Sequence, residues 1–501
     1  MTPTIAAPGV AAPTVASPRG RWIDHWEPED ETFWETRGRS IARKNLVFSI
    51  FAENLGFSIW VIWGIVVLNL ANIGIALSVD ELFILTAVPN LVGSFLRIPY
   101  TFAVPRFGGR LWTTISASLL FIPCLLLAIV VPSGWLADQS HDTQLLVLLL
   151  CAATAGFGGG NFSSSMANIS FFYPEGKKGL ALGLNAAGGN LGVAMSQLLV
   201  PLVLIIGVPA AAVKLPVHEV HMAYAGLVWL PFVVAAAFCA WWYMDSLTQA
   251  KADKVSYKRA LSSRHTWIMS VLYIGTFGSF IGYSFALPLV IKNTFPEFLA
   301  QHTFIATYLA GLGFVGALLG SIARPAGGWL ADRLGGAKVT LACFVGMAAF
   351  TVLAIVGVNQ RSFATFFVAY MLIFVLSGAG NGSTYRMIPS IFAALGRREG
   401  GDPVDFKRRA AAVIGIAGAI GAFGGFLIQL VFRQASLDVA AAVKAATSPA
   451  EKVAVAAAEA DWSLGALYVF LGAYAIFAVI TWAVYLRRTP SGIAGPDGRP
   501  V

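Results

Sequence analysis

Two stretches decide the fold: Arg97-Ile-Pro-Tyr-Thr-Phe-Ala-Val-Pro-Arg106-Phe-Gly-Gly-Arg110 and Arg324-Pro-Ala-Gly-Gly-Trp-Leu-Ala-Asp-Arg333-Leu-Gly-Gly-Ala-Lys338. In each, an arginine inside an apolar run stands nine residues before a second arginine, which is followed by an apolar residue and Gly-Gly. A second pair of stretches shows a similar separation. Gly158-Gly-Gly-Asn161-Phe-Ser163 runs on to Phe172, and Gly378-Ala-Gly-Asn381-Gly-Ser383 runs on to Phe392, so Asn, Ser and Phe all recur at an offset of 220. Two such pairs make an internal duplication.

The chain around these stretches is 501 residues long, 57% hydrophobic and only 12% charged, with a mean hydropathy of +0.73. A soluble domain carries roughly 45–50% apolar and about 25% charged residues. The apolar residues sit in long runs, which excludes a soluble enzyme and argues against an outer-membrane barrel of short alternating strands. Twelve runs are long enough to span a bilayer: 45–68, 82–104, 111–132, 146–172, 180–206, 221–243, 266–291, 303–330, 339–358, 364–390, 411–432 and 464–486. Arg97 falls in span 2 and Arg324 in span 8, six spans apart. The expected architecture is an all-α membrane protein with 12 transmembrane helices in two pseudo-symmetric six-helix halves. Its parts are a tail over 1–44, a first half over 45–243, a linker over 244–265, a second half over 266–486 and a tail over 487–501.

Twenty-five of the 34 Lys and Arg residues fall in the two tails and the even-numbered loops, six fall in the opposite loops, and three lie inside spans. Positive charge stays cytoplasmic, so both termini are expected there. The net charge of +9 is thus a topology signal and gives no reason to invoke nucleic acid. The N-terminal tail is expected to be mostly disordered and carries no apolar leader, with Trp22, Trp26, Phe33 and Trp34 at the lipid interface. Segment 435–463 is Ala-rich and reads as a loop on the far side with one or two short helices. The four cysteines lie within spans and the six histidines near or outside span ends, so no disulfide framework, metal site or cofactor is expected.

The loop Gly328-Trp-Leu-Ala-Asp332-Arg333-Leu-Gly335 resembles the G-x-x-x-D-R-x-G signature of the major facilitator superfamily. The first half departs from it, with Thr101 for the Gly and Pro105 for the Asp. Gly156-Phe-Gly-Gly-Gly-Asn161-Phe162-Ser-Ser-Ser-Met-Ala-Asn168-Ile-Ser-Phe-Phe-Tyr-Pro174, continuing to Gly183-Leu-Asn185-Ala-Ala-Gly-Gly-Asn190-Leu-Gly192, resembles the first signature of the nitrate/nitrite porter (NarK-type) family. Gly378-Ala-Gly-Asn381-Gly-Ser-Thr-Tyr-Arg386-Met-Ile-Pro389 resembles the second, and Trp26-Glu-Pro-Glu-Asp30 with Phe33-Trp34 is similar to that family's bacterial branch. The resemblance covers the chain from Trp26 to Arg488. It implies the major facilitator fold and a substrate site in which Arg97 and Arg324 bind the anion, Phe162 and Phe277 sandwich it, and Asn190 and Tyr273 add hydrogen bonds. Arg386 departs from the pattern, as a position where a neutral residue is expected.

The chemistry of the residues agrees. Nitrate and nitrite are flat anions with spread charge, and a guanidinium is flat, permanently charged and weakly hydrated, with a fork of donors. A buried arginine costs about 2.5–3.5 kcal/mol on insertion scales and persists where it faces a cavity and has a partner. Arg97 and Arg324 each lie roughly 13 Å from the loop arginine, too deep for easy snorkelling. Neither span holds an acid near them, so the substrate itself is the expected partner.

Other candidates keep two readings. Arg386 binds substrate or snorkels. Glu53, an acid well inside span 1, carries a proton or pairs with Arg386 or another arginine. Asn161, Asn185 and Asn381 are gating or polar-pore positions, or ordinary interhelical hydrogen bonds. Most of the 51 glycines are packing.

The expected function is secondary transport of nitrate and nitrite across the bacterial inner membrane by alternating access, as nitrate/nitrite antiport. The alternative is nitrate/proton symport through Glu53. A nitrate sensor is disfavoured because 244–265 and 435–463 are too short for an output domain. No triad, carboxylate pair or metal set marks an enzyme, and no catalytic residue is assigned. A monomer surrounded by lipid is expected, with the two anions as its partners.

Overall fold

The computed structural model describes residues 21–207, 220–250, 254–446 and 461–487. The tail before Arg21, residues 208–219, linker residues 251–253, most of the Ala-rich segment (447–460) and the C-terminal tail beyond Arg487 lie outside the described residues, so the expectations placed on them are not addressed by it.

Among the described residues, eleven helical runs are long and apolar enough to cross a membrane. In chain order they are α1 (Glu31–Ile73), α2 (Val79–Phe107), α3 (Gly109–Ile129), α4 (His141–Phe172), α5 (Glu175–Ile206), α6 (Tyr224–Tyr243), α7 (Arg264–Thr294), then, with one gap, α9 (Gly336–Asn359), α10 (Phe363–Glu399), α11 (Asp405–Ala435) and α12 (Leu464–Leu486). The gap is filled by α8 (Gly313–Leu334), which is less apolar because it carries Arg324, Pro325 and five glycines ahead of Asp332 and Arg333. Twelve spans result, as the hydropathy and the duplication lead one to expect.

Span 8 begins ten residues later than its apolar run. Thr303–Tyr308 forms a separate short helix, and Ala310, Gly311 and Leu312 all take positive φ before α8 starts. Three successive left-handed residues end any right-handed helix, and hydropathy carries no trace of them.

The helix contacts repeat with an offset of six. In the first half α2 packs on α4, α1 on α5 and α3 on α6; in the second α8 packs on α10, α7 on α11 and α9 on α12. Between halves, α2 meets α11 and α5 meets α8. Glycines make the tightest of these approaches. A Cβ on Gly93 of α2 would lie 3.2 Å from the Gly159 Cα of α4, and one on Gly278 of α7 would lie 2.8 Å from the Gly424 Cα of α11. Small residues let membrane helices close to backbone contact.

The tail aromatics depart from expectation. Trp26 and Trp34 are buried against Phe172 and Leu247 rather than lying in lipid. Trp22–Ile23 pairs in parallel with Ser246–Leu247 of the linker, and Lys44 and Asn45 both hold Asp245. The tail and the first part of the linker are thereby strapped to the first half. The rest of the linker, a helix over Lys254–Leu261, packs on α11 of the second half.

Candidate functional site

Between the halves a cavity of about 710 Å³ opens among the basic loops, lined there by Lys178, Tyr257, Arg397 and Lys407. It runs inward to Phe162 and Tyr385. The opposite face is closed. Gln429 of α11 accepts from Thr86 of α2 at 2.8 Å and donates to the Gly282 carbonyl at 2.7 Å; Gln197 of α5 donates to the Ser284 carbonyl; and Lys292 of α7 reaches the Leu68 carbonyl of α1 at 2.7 Å. Trp60 packs edge-on against Phe285, with ring centroids 5.8 Å apart.

At the inner end of the cavity lie Arg97, fully buried, and Arg324, 5% exposed. Arg97 is held by backbone. Its Nε donates to the Gly159 carbonyl of α4 at 3.0 Å, and its Nη1 crosses to the Gly418 carbonyl of α11 at 2.7 Å. Arg324 donates through Nη2 to the Tyr273 hydroxyl at 3.3 Å. Each has one nitrogen left over: Arg97 Nη2 and Arg324 Nη1 are buried without a partner. The bonded partners are neutral oxygens, and among the described residues neither guanidinium makes an ion pair.

Aromatic faces surround the two charges. The Arg97 guanidinium carbon lies 4.6 Å from the Phe162 ring centroid, 4.9 Å from Phe277 and 5.4 Å from Trp60. That of Arg324 lies 5.6 Å from Phe162 and 5.7 Å from Tyr385. Both arginines therefore share the Phe162 ring, and its negative face attracts each of them. Phe162 and Phe277 are near-parallel, 23° apart, with centroids separated by 6.0 Å. A flat anion between two rings needs about 3.5 Å on each side, so the rings must part slightly to sandwich one.

The local fold explains these positions. Gly159 has no Cβ, and one would lie 2.5 Å from Trp60, so α4 can come close enough for its carbonyl to reach Arg97. On α7 a π-helical turn over Ile274–Gly278 interrupts the α-helix. Such turns often occur at functional sites. This one presents Tyr273 and Phe277 on one side, stacked 5.4 Å apart.

Of the remaining candidates, Glu53 is fully buried, and its Oε2 accepts from Ser165 Oγ and from Asn185 Nδ2 at 2.8 Å. Its other oxygen has no partner. It interacts electrostatically with both site arginines without touching either, and it does not pair with Arg386. Asn161 accepts from Ser116 at 3.0 Å and from Ser164 at 3.2 Å, which ties α4 to α3. Asn190 and Asn381 are buried with both amide atoms unpartnered, so neither hydrogen-bonds to Arg97 or Arg324. Arg386 sits half-exposed on the cavity wall, paired with Asp332 of the loop signature. Trp60 and Tyr385 also belong to the cluster. Tyr385 lay inside the second signature, next to Arg386, whereas Trp60 is one of 14 tryptophans with no distinguishing pattern.

The model of the Major Facilitator Superfamily matches residues 46–429. The chain is 38% identical to the nitrate/nitrite transporter NarU of Salmonella typhimurium, over 93% of this chain and 97% of that protein. It is 37% identical to the probable nitrate/nitrite antiporter NarK2 of Thermus thermophilus, over 82% and 89% respectively. Among solved structures, a bacterial homolog of the human lysosomal transporter Spinster, inward-facing and occupied, superposes with a TM-score of 0.59 at 17% identity, over 89% of this chain and 98% of that one. That likeness speaks for the fold. The multi-pass helical bundle, its sixfold-offset packing and these relatives together place the chain in the nitrate/nitrite porter family of the major facilitator superfamily, a family of transporters rather than enzymes.

Proposed function

We propose that this protein exchanges nitrate for nitrite across the bacterial inner membrane by alternating access. It works as a monomer with both termini in the cytoplasm, and the open end of the cavity, among the basic loops, faces the same side. One observation carries the reading: two buried guanidinium donors without partners, Arg97 Nη2 and Arg324 Nη1, come from opposite halves to one aromatic box. Buried polar groups are normally satisfied, and a flat oxyanion satisfies both at once. The names of the relatives, a nitrate/nitrite transporter and a probable nitrate/nitrite antiporter, support the choice of anion. The basic tails and loops support the orientation.

Exchange follows from the charges. Without an anion, two cations face a low-dielectric centre and resist closure; with one bound, the halves can close and rock. Proteoliposomes test this. Nitrate uptake should require internal nitrite or nitrate. Equal uptake into vesicles with no internal anion, driven by a pH gradient, refutes exchange.

One observation favours a second reading, nitrate/proton symport: Glu53 is a fully buried carboxyl acting on both arginines. Glu53→Gln then abolishes pH-driven uptake and leaves exchange intact. Under the exchange reading there is no pH-driven component for it to remove.

A further inference from the structure

A second cavity, of about 1000 Å³, lies among the basic loops and meets the first only at Phe406. Five cations line it: Lys258 and Arg259 from the linker helix, Arg264 from the start of α7, Arg398 from the end of α10 and Arg409 from α11. Arg259 and Arg409 share Asp405, at 3.0 and 2.5 Å. Among the described residues Lys258, Arg264 and Arg398 make no ion pair, and Arg409 Nε is buried without a partner. Helix α7 begins here, and its N-cap Ser263 makes no side-chain capping bond. The positive end of that helix adds to the field of the side chains. Glu399 also lines the cavity, and with Asp405 it still leaves the five cations in excess by three; that excess and a free helix start in one pocket make a binding site for a phosphate group.

The walls say which phosphate. Phe392, Leu395 and Phe406 also line the cavity. Inorganic phosphate has no use for apolar walls, whereas a lipid presents glycerol and acyl carbons behind its headgroup. Basic pockets at the cytoplasmic ends of membrane helices suit anionic headgroups. We infer that this pocket binds the phosphate of an anionic phospholipid, which bridges the linker helix to α7, α10 and α11. Because the linker's first part is strapped to the other half, the lipid fixes where the connection between halves is anchored.

The test is native mass spectrometry of the full chain in detergent, titrated with phosphatidylglycerol or phosphatidylcholine. The wild type should retain one phosphatidylglycerol with a preference of roughly tenfold or more. Lys258→Gln/Arg264→Gln/Arg398→Gln should lose that preference, and millimolar inorganic phosphate should not displace the lipid from the wild type. Arg398→Gln alone, which breaks no ion pair, should lose part of the preference, and Arg398→Lys should keep most of it. No preference in the wild type, or an intact one in both glutamine variants, overturns the inference. Displacement by inorganic phosphate overturns the lipid and assigns the pocket to the soluble ion. In pure phosphatidylcholine vesicles the variants should exchange nitrate at the wild-type rate, so this test stands apart from the choice of cargo.

Discussion

Replacing Arg97 by lysine tests the site while leaving its charge in place. In the protein the Arg97 fork does three things at once: Nε holds Gly159, Nη1 holds Gly418 across the interface, and Nη2 is free. An ammonium is a single point of charge on a flexible stem. If it stays on the Gly418 carbonyl, it aims nothing at the anion. If it turns to the anion, it gives up the bond that joins α2 to α11. Both helix carbonyls keep their backbone partners in either case, so the loss is one charge-assisted hydrogen bond, about 1.5–3 kcal/mol. That corresponds to roughly 10- to 150-fold weaker nitrate binding. Arg324→Lys should cost less, because Arg324 has one protein bond to lose, a long one of 3.3 Å to Tyr273. Titration calorimetry on purified protein gives the dissociation constants, and counterflow in liposomes shows whether exchange follows. An Arg97→Lys variant that binds nitrate within threefold of wild type refutes the fork. So does an order of effects in which Arg324→Lys is the more damaging.

Three further outcomes follow from particular contacts. Tyr385 Oη is buried and bonded to nothing in the protein, so Tyr385→Phe should leave the melting temperature unchanged while weakening nitrate binding several-fold; unchanged binding removes the hydroxyl from the site. Arg386→Gln breaks a half-exposed pair with Asp332, of a kind worth about 0.2–1 kcal/mol, and nitrate affinity should stay within threefold; a large loss measured by calorimetry returns Arg386 to the binding machinery. Gly159→Ala puts a methyl 2.5 Å from the Trp60 ring and should destabilise by about 1–3 kcal/mol, whereas Gly418→Ala meets nothing closer than 3.8 Å and should melt like wild type. Equal melting temperatures for the two show that α4 has room to spare.

The sequence carried the architecture because the architecture is periodic. Apolar runs recur at the length of a bilayer, and Arg97 and Arg324 recur in matching surroundings, so the count and the pairing of halves were both legible. Single interruptions were not. The three positive-φ residues before α8 and the π-turn of α7 change a handful of dihedral angles and leave hydropathy untouched. Long-range partners were also hidden. Asp332 was in plain view in the loop signature and Arg386 in the second signature, but nothing along the chain says that residues 54 apart meet. Composition alone points the tail tryptophans to lipid, whereas Trp26 and Trp34 pack on Phe172 and Leu247, and the tail pairs Trp22 with Ser246, across the whole first half.

The absence of an acid beside Arg97 and Arg324 suggested two bare charges, and the structure qualifies that picture in a way that bears on mechanism. The charges are softened by carbonyl dipoles and ring faces, none of which carries a net charge. Two carbonyls and three rings make Arg97 tolerable in a buried place, yet a distant anion still feels its full positive charge. A carboxylate in contact would have cancelled it and competed with the substrate. The acid that is present, Glu53, is tied to Ser165 and Asn185 and kept off both guanidiniums. A monovalent oxyanion therefore meets a positive centre that no side chain in contact cancels. On that count, the proposed exchange of one nitrate for one nitrite lets the centre close with the same charge in both directions.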